Sequence, residues 1–344
     1  MRVLCLVDGR VDPPDRWIWN YLSAHAQRDS IDFMYAVTRD LFPKWGKLLS
    51  YYPAYWKLAV RALRQSRKVD YDVIVAWESK NGFPLAVLRS LLGVRKPKLV
   101  ILAFVYKGIV MHFRSLGRLA MRGVDHITVP TMSEVEHYNK LLGFPLDKTT
   151  FSPLGCYDMA SAVNVSEKRT DSYIFAGGRS GRDYRTLFKA ALDIDAQFVV
   201  NARKFNVQGL DCPLNVRLHD FMPMHEYYAL MAGSQFVVVP LKDTSYAVGL
   251  GHIIQAMSAG KALIATRTAG TVDYLEDGQT GVLVPPYDTL NMRSAITYLL
   301  DHPGEVEAMG QKARQRYEEM YTFTAFSERI YGVLQKVAVS GQHG

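Results

Sequence analysis

QFVVVPLKDTSYAVGLGHIIQAMSAGKALIA, residues 235–265, contains two short apolar runs on either side of a longer segment with helical spacing. The runs at 235–239 and 262–265 are rich in Val, Ile and Ala and are bounded by Pro, Gly or polar residues, which predicts buried strands. The segment 250–259 between them has the length and spacing of a helix. This order predicts two parallel strands joined by a helical crossover.

The same alternation runs through the rest of the chain. In the first half, strands are predicted at residues 2–7, 31–37, 72–77, 98–104 and 126–129, and helices at 16–26, 84–92, 111–121 and 132–142. In the second half, further strands are predicted at 173–175, 197–201, 215–218 and 281–284, and further helices at 184–192, 224–231 and 271–275 and from residues 289, 305 and 322. The pattern breaks near 155–166. Because apolar strands that alternate with helices form parallel sheets covered on both faces, we predict an α/β protein with two doubly wound domains, 1–160 and 168–320.

The composition is that of an ordinary globular protein. The 344 residues are 49% hydrophobic and 22% charged, which excludes a disordered or collagen-like chain. The three cysteines, Cys5, Cys156 and Cys212, fit neither a disulfide framework nor a paired-cysteine metal motif, so we expect a reducing cytoplasmic setting. No apolar run approaches the roughly 20 residues of a membrane span, and the apolar run at residues 1–7 is too short for a signal peptide.

The basic excess is confined to the first half of the chain. Residues 1–160 contain 23 Lys and Arg against 14 Asp and Glu, whereas residues 161–344 contain 18 against 19. The window 41–69, LFPKWGKLLSYYPAYWKLAVRALRQSRKV, holds seven basic residues, six aromatic residues and no acid.

Segments of this kind suit anionic lipid, because their rings settle at the headgroup level while their cations reach phosphate. We therefore predict that residues 41–69 attach the chain to an anionic membrane surface. The alternative is a helix whose aromatic side chains pack on the sheet and whose cations are solvated. Nucleic acid is not favoured as a partner, because no recognisable nucleic-acid module accompanies the charge.

Two glycine-rich loops each precede a predicted helix. GGRSGR, residues 177–182, follows the strand at 173–175, and VGLGH, residues 248–252, opens the helix that carries Gln255. Helix N-termini offer unpaired N–H groups, glycines let backbone approach an anion, and arginines fork onto phosphate oxygens. The candidate anion-binding residues are Gly178, Arg179, Arg182, Gly249, Gly251, His252 and Gln255.

Both loops are expected at the carboxyl edge of one half-sheet, which favours a diphosphate ligand. The alternatives are an ordinary glycine-rich turn with solvated arginines, and a helix that needs Gly251 only for close packing.

QAMSAGKALIATRTAGTVDYLEDGQTGVLVPPYD, residues 255–288, resembles the E-A-M-A-x-G-x-P-V signature and its continuation in glycosyltransferase family 4. Residues 215–241 and 125–158 are also similar to segments of that family. The resemblance implies the GT-B fold, in which two Rossmann-like domains face a cleft and the second binds the donor. It also implies that residues 321–344 form a terminal helix returning to the first domain.

The resemblance also implies roles for single residues. Arg179 and Arg182 take the places of the family's Arg and Lys, which contact the donor diphosphate. Gln255 takes the place of the second Glu of the family's Glu-x7-Glu motif, which holds the ribose. Ala247 stands where the first Glu would be, and Asp243 could replace part of that acid's role.

In the first half, the candidates lie at predicted strand ends. By resemblance, Gly9 lies near the donor phosphates, and His112 is the nearest match to a family histidine that contacts the transferred sugar. Glu78 is a candidate base or orienting group, and Tyr106 and Lys107 are further polar candidates. The alternative for His112 and Glu78 is an ordinary surface or core residue.

The expected function is transfer of a hexose from a nucleoside-diphosphate sugar, UDP-sugar favoured, to a lipid-linked or membrane-associated glycan acceptor. The resemblance implies retention of anomeric configuration, without a protein nucleophile, a cofactor or a metal ion. The enzyme is expected on the cytoplasmic face of the membrane as a peripheral protein. The alternative is a catalytically silent GT-B protein that binds a nucleotide or a partner.

Overall fold

The computed structural model describes residues 1–8, 17–22, 29–36, 47–106, 113–158, 172–220, 222–244 and 246–340. These residues fall into two compact units. The first comprises Met1–Pro153 and Phe326–Gly344, and the second comprises Leu154–Ala325. Each unit contains one six-stranded sheet in which all neighbouring strands are parallel.

The sheet of the first unit has the strand order β2-β1-β3-β4-β5-β6. Its strands are β1 (Arg2–Asp8), β2 (Ser30–Ala36), β3 (Val73–Trp77), β4 (Lys98–Leu102), β5 (His126–Val129) and β6 (Thr149–Phe151). The helices are α1 (Lys47–Ser66), α2 (Glu78–Leu92), α3 (Arg114–Met121) and α4 (Met132–Leu142), with 3-10 turns at Trp17–Tyr21 and Leu146–Lys148.

Helix α1 shows why these elements form. Its buried side chains recur every three or four residues, which places them on one face of a helix against the sheet. They are Tyr55, Leu58, Ala59, Ala62 and Leu63. No helix in the described ranges combines the length and the apolar character needed to cross a bilayer.

The sheet of the second unit has the order β12-β11-β10-β7-β8-β9. Its strands are β7 (Tyr173–Gly177), β8 (Gln197–Asn201), β9 (Val216–His219), β10 (Val237–Val239), β11 (Leu263–Thr266) and β12 (Gly281–Val284). Its helices are α5 (Tyr184–Ala191), α6 (Lys204–Val207), α7 (Met224–Gly233), α8 (Leu250–Ser258), α9 (Thr289–Asp301) and α10 (Pro303–Arg316), and α11 (Phe323–Val339) begins here. A 3-10 turn at Thr271–Asp273 and a π-helical turn at Tyr317–Tyr321 complete the unit.

Two separate hydrophobic clusters cover this second sheet, because successive side chains of a strand point to opposite faces. Phe175 and Val237 contribute to one cluster, and Ala176 and Val238 contribute to the other. The predicted α/β class with two parallel, helix-covered sheets is therefore confirmed.

Several predicted boundaries were wrong. The helix predicted at 84–92 begins at Glu78 and continues through Pro84, which reads in the sequence as a helix start. The strand predicted at 98–104 ends at Leu102, because Ala103 adopts a left-handed backbone with φ 46°. The helix predicted at 271–275 is only a 3-10 turn.

Candidate functional site

The two glycine-rich loops lie side by side in the second unit. They follow β7 and β10, which pair in parallel, with Val237 opposite Phe175. Backbone hydrogen bonds join the segments beyond the strands: the Asp183 N–H donates to the Pro240 carbonyl at 3.0 Å, and the Lys242 N–H donates to the Gly181 carbonyl at 2.9 Å. The structure thus brings both predicted loops to the same carboxyl edge of one sheet.

Arg182 lies where the two loops meet. Its side chain is buried, with Nε donating to the Gly177 carbonyl at 2.8 Å and Nη1 donating to the Ser180 carbonyl at 2.9 Å. A Cβ atom on Gly178 would collide with Nη2, and one on Gly249 would lie 3.2 Å from Nη1. Glycine in both loops therefore makes room for the guanidinium.

The buried charge of Arg182 is not balanced by an ion pair with any residue that the structure describes. Within the described part of the chain, no carboxylate lies within 4.0 Å of its guanidinium. Burial lowers the pKa of Arg182, while the hydroxyls of Tyr184 and Tyr227 act in the opposite direction. A buried cation without an anionic partner is costly, so this position favours an incoming anion.

Arg179 differs from Arg182. Its side chain is exposed, and its backbone carbonyl accepts a hydrogen bond from Asn206 Nδ2 at 2.9 Å. The structure therefore holds one arginine of the loop in place and leaves the other in solvent.

Helix α8 begins at the second loop. Gly249 precedes it with φ 80°, a left-handed conformation that favours glycine. A Cβ atom on Gly251 would meet nothing within 4 Å among the described residues, so close packing does not explain this glycine. The open space lies beside the first turn of α8, and the first N–H groups of a helix generally have no carbonyl partner within the helix.

His252 is the third residue of α8 and is only 6% exposed. Its Nδ1 lies 2.5 Å from the hydroxyl of Tyr227, and its ring stacks on Phe175 with centroids 6.1 Å apart. Its Nε2 is buried and has no hydrogen-bonding partner among the described residues. Burial, and then the charge of Arg182, hold the pKa of His252 well below its usual range, so the ring is neutral at pH 7.

The other predicted residues of this unit lie along the same segment. Gln255 is half-buried, and its Nε2 donates to the hydroxyl of Tyr228 at 3.2 Å. Asp243 is exposed, and its backbone N–H donates to the hydroxyl of Tyr287 at 3.1 Å. Ala247 packs partly buried against the core.

The candidates of the first half lie in the first unit. Glu78 begins α2 with φ 61°, and its carboxylate pairs with Lys80 at 3.0 Å. Tyr106 is buried, and its hydroxyl donates to the Phe113 carbonyl at 3.2 Å, which is a structural role. Gly9, Lys107 and His112 lie outside the described residues.

Sequence reasoning missed two tyrosines of α7. Tyr227 and Tyr228 contact His252 and Gln255, which are two of the predicted ligand residues. The only signal in the sequence is the adjacent pair in MHEYYAL, and nothing in it indicates which helix the pair faces. Of the side chains that the structure describes, no three or more His, Cys, Asp or Glu form a group that could hold a metal ion.

Two parallel six-stranded sheets with flanking helices define the GT-B fold, and solved structures agree with it. Sucrose-phosphate synthase from Thermosynechococcus elongatus superposes with a TM-score of 0.73 at 16% identity, over 98% of this chain and 99% of that one. HepE from Anabaena in complex with UDP superposes with a TM-score of 0.71 at 13% identity, over 98% of this chain and 100% of that one.

The sequence comparisons agree with this class. Residues 189–302 match the family Glycosyl transferases group 1. D-rhamnosyltransferase WbpZ of Pseudomonas aeruginosa is 25% identical over 64% of this chain and 53% of its own length. D-inositol 3-phosphate glycosyltransferase of Corynebacterium diphtheriae is 23% identical over 63% and 49%.

The matches to these two curated relatives thus span about half of their length. This chain therefore has the GT-B fold and is similar over part of its length to glycosyl transferases of group 1.

Proposed function

We propose that this chain is a family 4-like glycosyltransferase that transfers a hexose from a nucleoside-diphosphate sugar, with UDP-sugar favoured. The observation that carries the proposal is the buried guanidinium of Arg182, which has no carboxylate partner among the described residues and lies against Gly249 at the start of α8. A diphosphate in this position would be stabilised by the charge of Arg182 and by the partial positive charge at the N-terminus of α8. The structurally similar HepE was solved in complex with UDP, which supports this choice.

In the proposed reaction, the site stabilises the leaving diphosphate. Negative charge develops on the diphosphate as the bond to the sugar breaks, and fixed donors at that position lower the barrier. Arg182 and the first turn of α8 are fixed by packing, whereas Arg179 is exposed and could close onto a bound ligand. We propose that these groups act with retention of configuration and without a protein nucleophile or a metal ion.

The test compares two arginines separated by three positions. Arg182→Gln removes the buried guanidinium, and Arg185→Gln removes an exposed one on α5 as a matched control. Hydrogen bonds to charged groups contribute about 1.5–3 kcal/mol, so Arg182→Gln is expected to raise the Kd for UDP by about 10- to 150-fold. Arg185→Gln should leave that Kd unchanged.

Isothermal titration calorimetry with UDP, GDP and ADP measures binding, and nucleotide release from the corresponding sugars, with and without EDTA, measures turnover. Thermal unfolding of each variant shows whether it is folded, and Arg182→Lys keeps the charge if Arg182→Gln does not fold. If the unmodified protein binds none of the three nucleotides, the proposal is wrong.

A catalytically silent nucleotide-binding protein is the second candidate. Ala247 favours it, because this residue stands where the family resemblance expects the first acid. Tight UDP binding without release of nucleotide from any sugar, across lipid-linked and soluble acceptors, would support this candidate over the enzyme.

We propose further that the acceptor is lipid-linked and that α1 attaches the enzyme to the cytoplasmic face of an anionic membrane. Trp56 and Val60 are exposed on α1, and Lys57 and Arg64 are exposed beside them, whereas Tyr55 of the same helix is buried in the core. The aromatic residues of the window 41–69 are therefore divided, since at least one packs on the sheet and another faces outward. Residues 41–46 lie outside the described residues.

Vesicle sedimentation tests this attachment. Each basic residue near an anionic surface contributes about 1 kcal/mol, so the double variant Lys57→Gln/Arg64→Gln should bind phosphatidylglycerol vesicles roughly 30-fold more weakly. The matched control is Lys140→Gln/Lys148→Gln, which removes the same charge from exposed positions elsewhere in the first unit. Equal binding by both double variants would contradict a role for α1.

A further inference from the structure

Two adjacent tyrosines of α7 contact two residues of α8 that are three positions apart. Tyr227 contacts His252, and Tyr228 contacts Gln255. Three residues of helix rise about 4.5 Å, so the two contacted side chains lie roughly one turn apart along α8. Both belong to the proposed nucleotide site, and the inference below rests on that proposed function.

Tyr227 is fixed by its surroundings. Its ring packs edge-on against Phe175 with centroids 5.2 Å apart. A Cβ atom on Gly177 would lie 2.6 Å from its hydroxyl, so this glycine leaves room for the tyrosine. Burial raises the pKa of Tyr227, which keeps the hydroxyl protonated.

The hydrogen of this hydroxyl determines the state of His252. Among the described residues, the Tyr227 hydroxyl has one hydrogen-bonding partner, Nδ1 of His252. A buried hydroxyl without another acceptor donates to that nitrogen, and a neutral imidazole then carries its proton on the other nitrogen. Nε2 of His252 is therefore a hydrogen-bond donor. This nitrogen is buried and has no hydrogen-bonding partner among the described residues.

Tyr228 acts in a similar way on Gln255. The amide nitrogen of Gln255 donates to the Tyr228 hydroxyl at 3.2 Å. With Nε2 engaged, the group that Gln255 presents is its carbonyl oxygen, which is an acceptor. In a nucleoside diphosphate, the group next to the phosphates is ribose, whose hydroxyls are donors.

We infer that Tyr227 and Tyr228 are positioning residues: Tyr227 directs the Nε2–H of His252 to a phosphate oxygen, and Tyr228 directs the carbonyl oxygen of Gln255 to a ribose hydroxyl. The phosphate oxygens accept hydrogen bonds and the ribose hydroxyls donate them, so each presented atom matches its ligand group. The second match also explains how an amide serves where the family resemblance expects a carboxylate. A carboxylate has two acceptor oxygens, whereas an amide must be oriented to present its one.

The first test removes each hydroxyl alone. Tyr227→Phe is expected to raise the Kd for UDP, 2′-deoxy-UDP and 3′-deoxy-UDP alike, by about 3- to 10-fold. Tyr228→Phe should raise the Kd for UDP by a similar factor and lose this effect with at least one of the deoxy nucleotides. Tyr298→Phe is the matched control, because the Tyr298 hydroxyl is hydrogen-bonded to Glu305 on the exposed surface of the same unit. The Kd of this variant for UDP should stay unchanged.

The second test rescues Tyr228→Phe. In a Gln255→Glu background the side chain needs no orientation, so the double variant Tyr228→Phe/Gln255→Glu should bind UDP as tightly as Gln255→Glu alone. A purely structural role for Tyr228 would weaken binding in both backgrounds.

The third test needs no ligand. The ¹⁵N chemical shifts of His252 in the full chain should show the proton on Nε2, and Tyr227→Phe should shift the ring toward a mixture of tautomers.

Different results would overturn the proposed function and the inference on Tyr227 and Tyr228. If the unmodified protein binds none of UDP, GDP and ADP, both the proposed function and this inference are wrong. If UDP binds tightly, but both phenylalanine variants bind it within twofold of the unmodified protein, the inference alone is wrong. A proton on Nδ1 of His252 also overturns it, even if a tyrosine variant fails to fold.

Discussion

Gly249 has little room for a side chain between Leu241 and Arg182. In Gly249→Ala the new Cβ atom would lie 2.8 Å from Leu241 Cδ2 and 3.2 Å from Arg182 Nη1. Both side chains are buried, so neither can swing into solvent. The left-handed backbone at φ 80° adds strain for any residue with a Cβ atom.

The two costs can be estimated separately. Left-handed backbone costs alanine about 1–2 kcal/mol, and overpacking costs typically 1–3 kcal/mol. We therefore expect Gly249→Ala to destabilise the second unit by about 2–5 kcal/mol. For 150–250 residues, each kcal/mol lowers the Tm by about 2–4 °C. The displaced guanidinium should also weaken UDP binding about tenfold or more.

Gly209→Ala is the control for the cost of placing alanine in a left-handed backbone. Gly209 has φ 73°, and its Cβ atom would meet nothing within 4 Å among the described residues. This variant should therefore lose only about 1–2 kcal/mol and should bind UDP normally. Differential scanning calorimetry and UDP titration measure the two effects. Equal Tm losses with equal UDP affinity in the two variants would refute the crowding of Arg182.

Three further substitutions should affect stability differently: one should raise it, one should reduce its loss at low pH, and one should lower it. Gly251→Ala should raise the Tm, because alanine is more favourable than glycine in a helix by about 0.8–1 kcal/mol. The same variant should weaken UDP binding, because the new methyl group fills the open space beside α8. Tighter UDP binding would contradict the proposed site. Burial lowers the pKa of His126 from 6.5 to about 4, so the unfolded chain takes up the proton first and stability falls with pH below 6.5, by about 2 kcal/mol at pH 5. Urea unfolding at pH 7 and pH 5 measures this loss of stability, and His126→Gln should remove it. If the free energy of unfolding falls between the two pH values by the same amount in His126→Gln, His126 is not the cause of the loss. Arg89→Met should destabilise the first unit by about 3–5 kcal/mol, because buried Arg89 bonds the Gly123 carbonyl at 2.8 Å and Asp125 at 2.9 Å; a Tm within 2 °C of the unmodified protein would contradict this.

The order of the elements was predictable because it depends on local patterns. The stretch 235–265 folds as predicted, with β10, α8 and β11 in that sequence. By contrast, β6 (Thr149–Phe151) was not predicted, because three residues carry too little periodicity to be read. The early start of α2 at Glu78 was missed because Pro84 reads in the sequence as a helix start, and the left-handed backbone of Glu78 is visible only in the structure.

The candidate site was predictable in part. The two glycine-rich loops could be located because parallel strands end at the same edge of a sheet. The alternative that Gly251 serves close packing could not be dismissed from the sequence, because packing depends on neighbours distant in the chain. The same holds for the aromatic residues of α1, where Tyr55 is buried and Trp56 is exposed although they are adjacent.

By itself, the sequence determined the α/β class, the two parallel sheets and the positions of the loops that carry glycine and arginine. These features follow from hydrophobic periodicity and from the backbone freedom of glycine, which are properties of short segments. Only the tertiary structure decided that Arg182 is buried while Arg179 is exposed, and that Tyr227 and Tyr228 meet His252 and Gln255. The contacts of a side chain depend on which segments pack against it, and the tyrosines of α7 lie about 25 residues from their partners on α8.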